Sequence, residues 1–293
     1  MITVITCTTN LSNAHVLYDN IANTIGVEFE FLPFDNSKAH KGICEAYNTQ
    51  SKLARGEVVC FVHDDIKFIT VDWGKRLNDL FGSNPEIGLV GVAGSGYKTK
   101  NPSLWTTAPE NMVSANLIQH FKHSEAPASH LFLNPSHAHF AEAVTLDGVF
   151  LATRSDVLDK VKFDEETLKG FHGYDVDFSI QVGRYSQVVV TLEILLEHFS
   201  EGSLGPEWLE AGKKISKKWV KILPISKSPL SWLERGRMEY SAMFVGFRAI
   251  DKTKTLKWAR KCLYFLYCFS PSFLIIPFVK KRIDRQMLKR SQS

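Results

Sequence analysis

The first third of the chain alternates apolar runs that end in polar residues with segments whose apolar positions recur at helical intervals. "MITVITCTTN" is β-branched and closes on a turn-forming cluster, and "NAHVLYDNIANTI" has helical apolar spacing. "VEFEFLPFDNS" alternates as a strand, "GICEAYNTQSKLA" is helical, and "GEVVCFVHDDI" is again a strand. The order predicts βαβαβ, and such a series calls for a parallel sheet covered by helices. Ligands of these sheets bind in the crevice beyond the carboxyl ends of the strands. The three strands end in Thr8, Thr9 and Asn10, in Asp35, Asn36 and Ser37, and in His63, Asp64 and Asp65. By that rule all nine residues meet on one rim.

At 293 residues, 44% hydrophobic and 23% charged, the chain is long enough for one large domain or two small ones. Its five cysteines are odd in number and form no CxxC pair, which fits a reducing cytosol. "MITVITCTT" lacks a basic leader and reads as a strand from its first residues. The net charge of +4 hides an asymmetry: eleven of the 35 Lys and Arg, and one of the 31 acids, lie between Lys252 and the end. These charges bracket the apolar run "CLYFLYCFSPSFLIIPFV" at 262–279, which Pro271 and Pro277 interrupt. Basic clusters around an aromatic and aliphatic stretch suit an anionic lipid surface, so the tail is expected to lie on a membrane rather than cross it.

Carboxylates that follow a fully apolar strand need a reason, because buried charge is costly without a partner. Helix capping or a strand-end turn accounts for many Asp pairs. A hard divalent cation shared with a diphosphate is the alternative, because it supplies the positive charge that makes clustered acids tolerable. Later carboxylates and histidines favour the second reading.

The stretch "NTQSKLARGEVVCFVHDD" resembles the segment that leads into the DxD motif of family 2 nucleotide-sugar glycosyltransferases with the GT-A fold. Asn48, Arg55, Gly56 and Glu57 stand at the matching spacing. "LDGVFLATRSDVLDKVKFDEE", "GYDVDFSIQV" and "LEHFSEGS" are similar to the later motifs of that family, so the resemblance covers roughly residues 1–205. Two positions depart from the pattern. His63 occupies the first DxD position, and Tyr47 replaces the basic residue usual before the Asn.

The resemblance implies a mixed, mainly parallel Rossmann-like α/β sheet flanked by helices, and a metal-dependent transfer from a nucleotide-diphosphate sugar. The cofactor is then Mn2+ or Mg2+, with Asp65 the principal ligand and His63 and His198 beside it. Thr8, Asn10, Asp35, Asn48 and Asp64 are expected against the nucleotide, and Asp147 and Gly148 against the donor sugar. An inverting transfer also needs a base for the acceptor hydroxyl. Asp175 is the candidate, with Asp177 two residues on; the pair can equally serve a helix N-terminus. The implied acceptor is a glycan or a lipid-linked glycan at the cytoplasmic membrane face, as in cell-surface polysaccharide synthesis.

Other patterns carry less. "GVAGSGYKT" approaches a phosphate loop, but Tyr97 separates Gly96 from Lys98, so a strand and a glycine turn are expected. His120, His123, His130, His137 and His139 match no structural zinc spacing and are read as a loop on the acceptor side. "PEWLEAGKKISKKWVKIL" and "SWLERGRMEYSAMFVGFRAI" read as helices, giving a catalytic domain at 1–205, a helical appendage at 206–250 and a basic tail at 251–293. With no nucleic-acid motif and an acidic body, nucleic acid is not an expected partner. A nucleotidyltransferase would carry a glycine-rich basic N-terminal loop, which "CTTNLSNAHV" is not; an inactive sugar-nucleotide module is hinted at only by His63.

Overall fold

A computed structural model describes residues 1–122, 126–200, 202 and 204–250. The tail at 251–293, with its apolar run, lies outside the described residues.

The expected opening is present. β1 (Ile2–Thr8), α1 (Leu11–Thr24), β2 (Phe29–Asp35), α2 (Ile43–Ser51) and β3 (Val58–Val62) follow in order. Helix α1 begins two residues before the apolar pattern suggests because the Asn10 side chain accepts from the Ser12 amide and so caps it. The third strand stops early. β3 ends at Val62, and β4 (Ile66–Phe68) starts in a different sheet, so His63, Asp64 and Asp65 occupy the crossing between sheets.

Next come α3 (Trp73–Ser83), β5 (Ile87–Gly91), β6 (Ala93–Ser95) and β7 (Tyr97–Lys98). Gly96 thus sits between two strands, with no helix after it. A 3-10 turn at Glu110–Met112 precedes β8 (Val113–Gln119), β9 (Ser129–Leu133), β10 (Phe140–Glu142), β11 (Thr145–Leu146) and β12 (Phe150–Arg154). The remaining elements are α4 (Ser155–Leu158), α5 (Tyr174–Val182), β13 (Gln187–Thr191), β14 (Leu196–His198), α6 (Pro206–Lys218), β15 (Ile225–Ser226) and α7 (Trp232–Ile250).

The main sheet has seven strands in the order β10-β13-β5-β12-β3-β1-β2. Strands β2, β1, β3, β5 and β13 run parallel, while β12 and β10 run against them. The second sheet, β11-β6-β8-β14-β4, carries β9 on the side of β8.

β3 shows why the sheet is stable. All five of its residues are buried, with Val58, Cys60 and Val62 facing one core and Val59 and Phe61 the other, as a strand covered on both faces requires. On one side Leu17 and Ile21 of α1 and Trp73 and Leu77 of α3 pack down; on the other, Cys44 and Tyr47 of α2 and Phe178 of α5. Burial of Phe61 alone contributes about 1.5–3 kcal/mol. Ile215 of α6, together with Trp219 and Leu223 beyond it, enters the same core as α5, so this basic helix packs directly on the body. No helix among the described residues is long and apolar enough to cross a membrane.

Candidate active site

Register fixes the rim. Thr8 pairs with Asp35 and Thr6 with Val62, so Asp64, two residues past Val62, is level with Thr8. The Thr8 hydroxyl donates to Asp64 Oδ2 and accepts from the Asn10 amide at 3.0 Å. Asn13 Nδ2 also donates to Asp64 Oδ2, at 3.3 Å. Asp35 is exposed and accepts from the Ser37 amide at 2.9 Å, and its hydrogen bonds from Ser37 hold its carboxyl below the usual range. Cys7 faces the same region, but burial and the nearby Asp64 charge push its thiol up to about 11, so it is no nucleophile.

The second sheet delivers the histidine. β14 pairs antiparallel with β4, setting His198 opposite Ile66, and parallel with β8, setting it beside Gln119. The Phe199 amide donates to the Asp65 carbonyl at 3.0 Å, which pins the end of this strand to the turn. Residues 135 positions apart thereby meet: His63 Nδ1 is 3.4 Å from His198 Nε2. Asp65 Oδ1 stands 3.9 Å from His63 Nδ1 and 3.6 Å from His198 Nε2. His63, Asp65 and His198 each offer one ligand atom, all within 4.8 Å of one another. Two imidazoles and a carboxylate suit Mn2+ better than Mg2+, which prefers an all-oxygen shell.

Helix α5 brings the third group of side chains to the rim. Its first residue, Tyr174, is buried and donates its hydroxyl to the Gly148 carbonyl at 3.0 Å. The same oxygen lies 2.9 Å from His63 Nε2. Gly148 has no room for a side chain, because a Cβ there would fall 2.1 Å from Tyr174 Oη. The Gly148 amide donates to Asp175 Oδ2 at 3.2 Å. Burial, and then the charge of Asp147, push the Asp175 carboxyl up to about 7. Asp147 itself is held by Trp105 Nε1 at 2.7 Å and by the Val149 amide at 2.9 Å. The Tyr174 hydroxyl and Gly148 therefore connect His63 of the cluster to the raised Asp175 carboxyl.

Two expected site residues are drawn elsewhere. Asp177 is 1% exposed and accepts from Trp219 Nε1 at 2.7 Å, Gln181 Nε2 at 2.8 Å and Lys218 Nζ at 2.9 Å. Its carboxylate anchors the end of α6, away from the Gly148 amide that Asp175 accepts from. Asn48 donates to the Phe163 carbonyl and to Glu165 Oε2, each at 2.8 Å, and accepts from the Phe163 amide at 3.1 Å. It clamps the 163–165 loop rather than facing the rim. Tyr174, Gln119 and Trp105 contact His63, His198 and Asp147 respectively; Tyr174 lies in "GYDVDFSIQV", and nothing local in the sequence marks the other two. Of the histidine-rich segment, His130 lies on β9 and His120 follows β8, so part of it is sheet; His123 lies outside the described residues.

Comparison with known proteins gives the same frame. The model of a family described as "Glycosyltransferase like family" matches residues 2–220. No curated protein matches the sequence. Among solved structures, the chain is similar to GalNAc-T7 with UDP, GalNAc and Mn2+, at a TM-score of 0.52 and 10% identity over 75% of this chain and 49% of that one. It thus spans about half the length of that protein. It is also similar to S. aureus TarS 1-349 in complex with UDP-GlcNAc, at a TM-score of 0.51 and 13% identity over 89% of this chain and 77% of that one. Another structure of S. aureus TarS 1-349 gives a TM-score of 0.51 at 14% identity, over 84% of this chain and 72% of that one.

Proposed function

Because the chain belongs to this glycosyltransferase-like family and has the GT-A fold, we propose that it transfers a sugar from a uridine diphosphate donor to a glycan or lipid-linked glycan hydroxyl, with inversion. The observation that carries this reading is the convergence of His63, Asp65 and His198 on one point, linked to Asp175 through Tyr174 and Gly148. A divalent cation bound by these three residues would neutralise the charge that grows on the departing diphosphate.

The remaining roles fall to the chain. Asp64, held by Thr8 and Asn13, faces the ribose, and exposed Asp35 the base or ribose. Asp147, fixed by Trp105 and Val149, and the backbone of Gly148 hold the donor sugar. Asp175 accepts the proton of the acceptor hydroxyl as that oxygen attacks the anomeric carbon. The bond from that carbon to the diphosphate oxygen breaks, and its electron pair leaves with the nucleotide. A carboxyl near 7 is half ionised at neutral pH and basic enough to take a proton, which an ordinary Asp is not.

Residues 206–250 and the basic tail at 251–293 form the acceptor and membrane side of this proposal, with the tail resting on the anionic cytoplasmic face of a membrane. A cell-surface polysaccharide or lipooligosaccharide is the matching product. The test is release of UDP from a panel of UDP-sugars by the full chain with Mn2+. Slow donor hydrolysis is expected for at least one sugar and none in chelator. No release from any donor, with Mn2+ or Mg2+, overturns the proposal.

A further inference from the structure

The hydrogen bonds around the two histidines fix which nitrogen of each carries its proton. Gln119 Nε2 donates to the carbonyls of His120 at 2.7 Å, Ser200 at 2.8 Å and His198 at 3.4 Å. Turning that amide over would aim its oxygen at three carbonyl oxygens, so Oε1 must be the atom 3.2 Å from His198 Nδ1. An amide oxygen only accepts; His198 therefore holds its proton on Nδ1 and its lone pair on Nε2.

The same logic applies to His63. A phenol such as Tyr174 carries its proton at neutral pH. That proton goes to the buried Gly148 carbonyl at 3.0 Å, because otherwise two oxygen lone pairs would face each other at hydrogen-bond distance. The Tyr174 oxygen is then an acceptor towards His63 Nε2 at 2.9 Å, which places the His63 proton on Nε2 and its lone pair on Nδ1. The two lone-pair nitrogens are the two that approach within 3.4 Å of each other and face Asp65 Oδ1. Left alone, three electron-rich atoms at that spacing repel; a cation among them removes the conflict.

We propose that Tyr174 and Gln119 are positioning residues that lock His63 and His198 in opposite tautomers, so that His63 Nδ1 and His198 Nε2 present their lone pairs to one cation with Asp65. This inference rests on the metal reading given above and adds how the site is set before any ion arrives. It also explains how histidine serves at the first position of the DxD-like motif: the residue beside the candidate base orients it. Tyr174 thereby joins the ion site to α5, which carries Asp175.

The test uses the full chain labelled with 15N-histidine, free of metal at about pH 8, where an ordinary imidazole is neutral. Long-range proton–nitrogen spectra, assigned with His63→Gln and His198→Gln, should show His63 protonated at Nε2 and His198 at Nδ1. The reverse tautomer at either residue overturns the inference. In Tyr174→Phe, His63 should become a mixture of tautomers while His198 is unchanged, and titration with Mn2+ alone should show a dissociation constant raised about 10- to 100-fold. A folded Tyr174→Phe that binds Mn2+ as tightly as the wild type sinks the inference and leaves the metal reading standing. A wild type that binds no Mn2+ sinks the metal reading itself.

Discussion

Asp175→Asn separates chemistry from stability and gives the two opposite signs. The carboxyl moves from an ordinary 3.8 to about 7 in the folded chain, first because it is buried and then because Asp147 is close. A group whose folded value is raised keeps full stability below its unfolded value and loses it as pH climbs through the folded one. At an upper limit the loss is about 4 kcal/mol above pH 7, from 1.36 kcal/mol per pH unit, and about 1.5 kcal/mol at pH 5. Asparagine keeps an oxygen for the Gly148 amide and carries no charge. Urea unfolding in chelator should therefore show the variant more stable than the wild type, with a gap up to about 2.5 kcal/mol wider at pH 8 than at pH 5. Turnover should fall about 10²- to 10⁴-fold, and the wild-type rate should rise with pH along a limb centred near 7. A stability gap that is the same at both pH values, or a wild type that gains stability with rising pH, refutes the argument.

Asp177→Ala should act on the fold instead. It leaves the Trp219 indole without its buried acceptor and Lys218 with Asp164 alone, a loss of about 1–3 kcal/mol in urea unfolding at neutral pH. Unchanged stability would deny the anchoring of α6. Asn48→Ala removes three hydrogen bonds to the 163–165 loop and should cost about 1–3 kcal/mol with UDP affinity unaltered. A selective loss of UDP binding by calorimetry would return Asn48 to the nucleotide site.

The alternation of apolar runs made the β1-to-β3 half of the sheet and the shared rim legible, because period and turn residues are local properties. The antiparallel insertion of β12 between β3 and β5 was not legible as such, since strand order depends on contacts far apart in sequence. The site divides the same way. Motif resemblance points to His63, Asp65 and His198, but their meeting depends on the β4–β14 ladder, which no periodicity predicts. Asp175 and Asp177 look equivalent in "GYDVD"; on a helix two residues turn about 200° apart, so one meets Gly148 and the other meets α6. Asn48 has the spacing of a nucleotide contact and the surroundings of a loop clamp, a distinction that only its partners Phe163 and Glu165 reveal.

If His63, Asp65 and His198 hold a divalent cation that a nucleotide diphosphate shares, the binding of ion and nucleotide must be coupled. Calorimetric titration of Mn2+ into the full chain, with and without saturating UDP, tests it most directly when repeated on Asp65→Asn. One site is expected in the wild type, tightened by UDP, with binding weakened at least 10-fold in the variant. Equal Mn2+ binding by wild type and Asp65→Asn, or UDP binding indifferent to Mn2+, contradicts it.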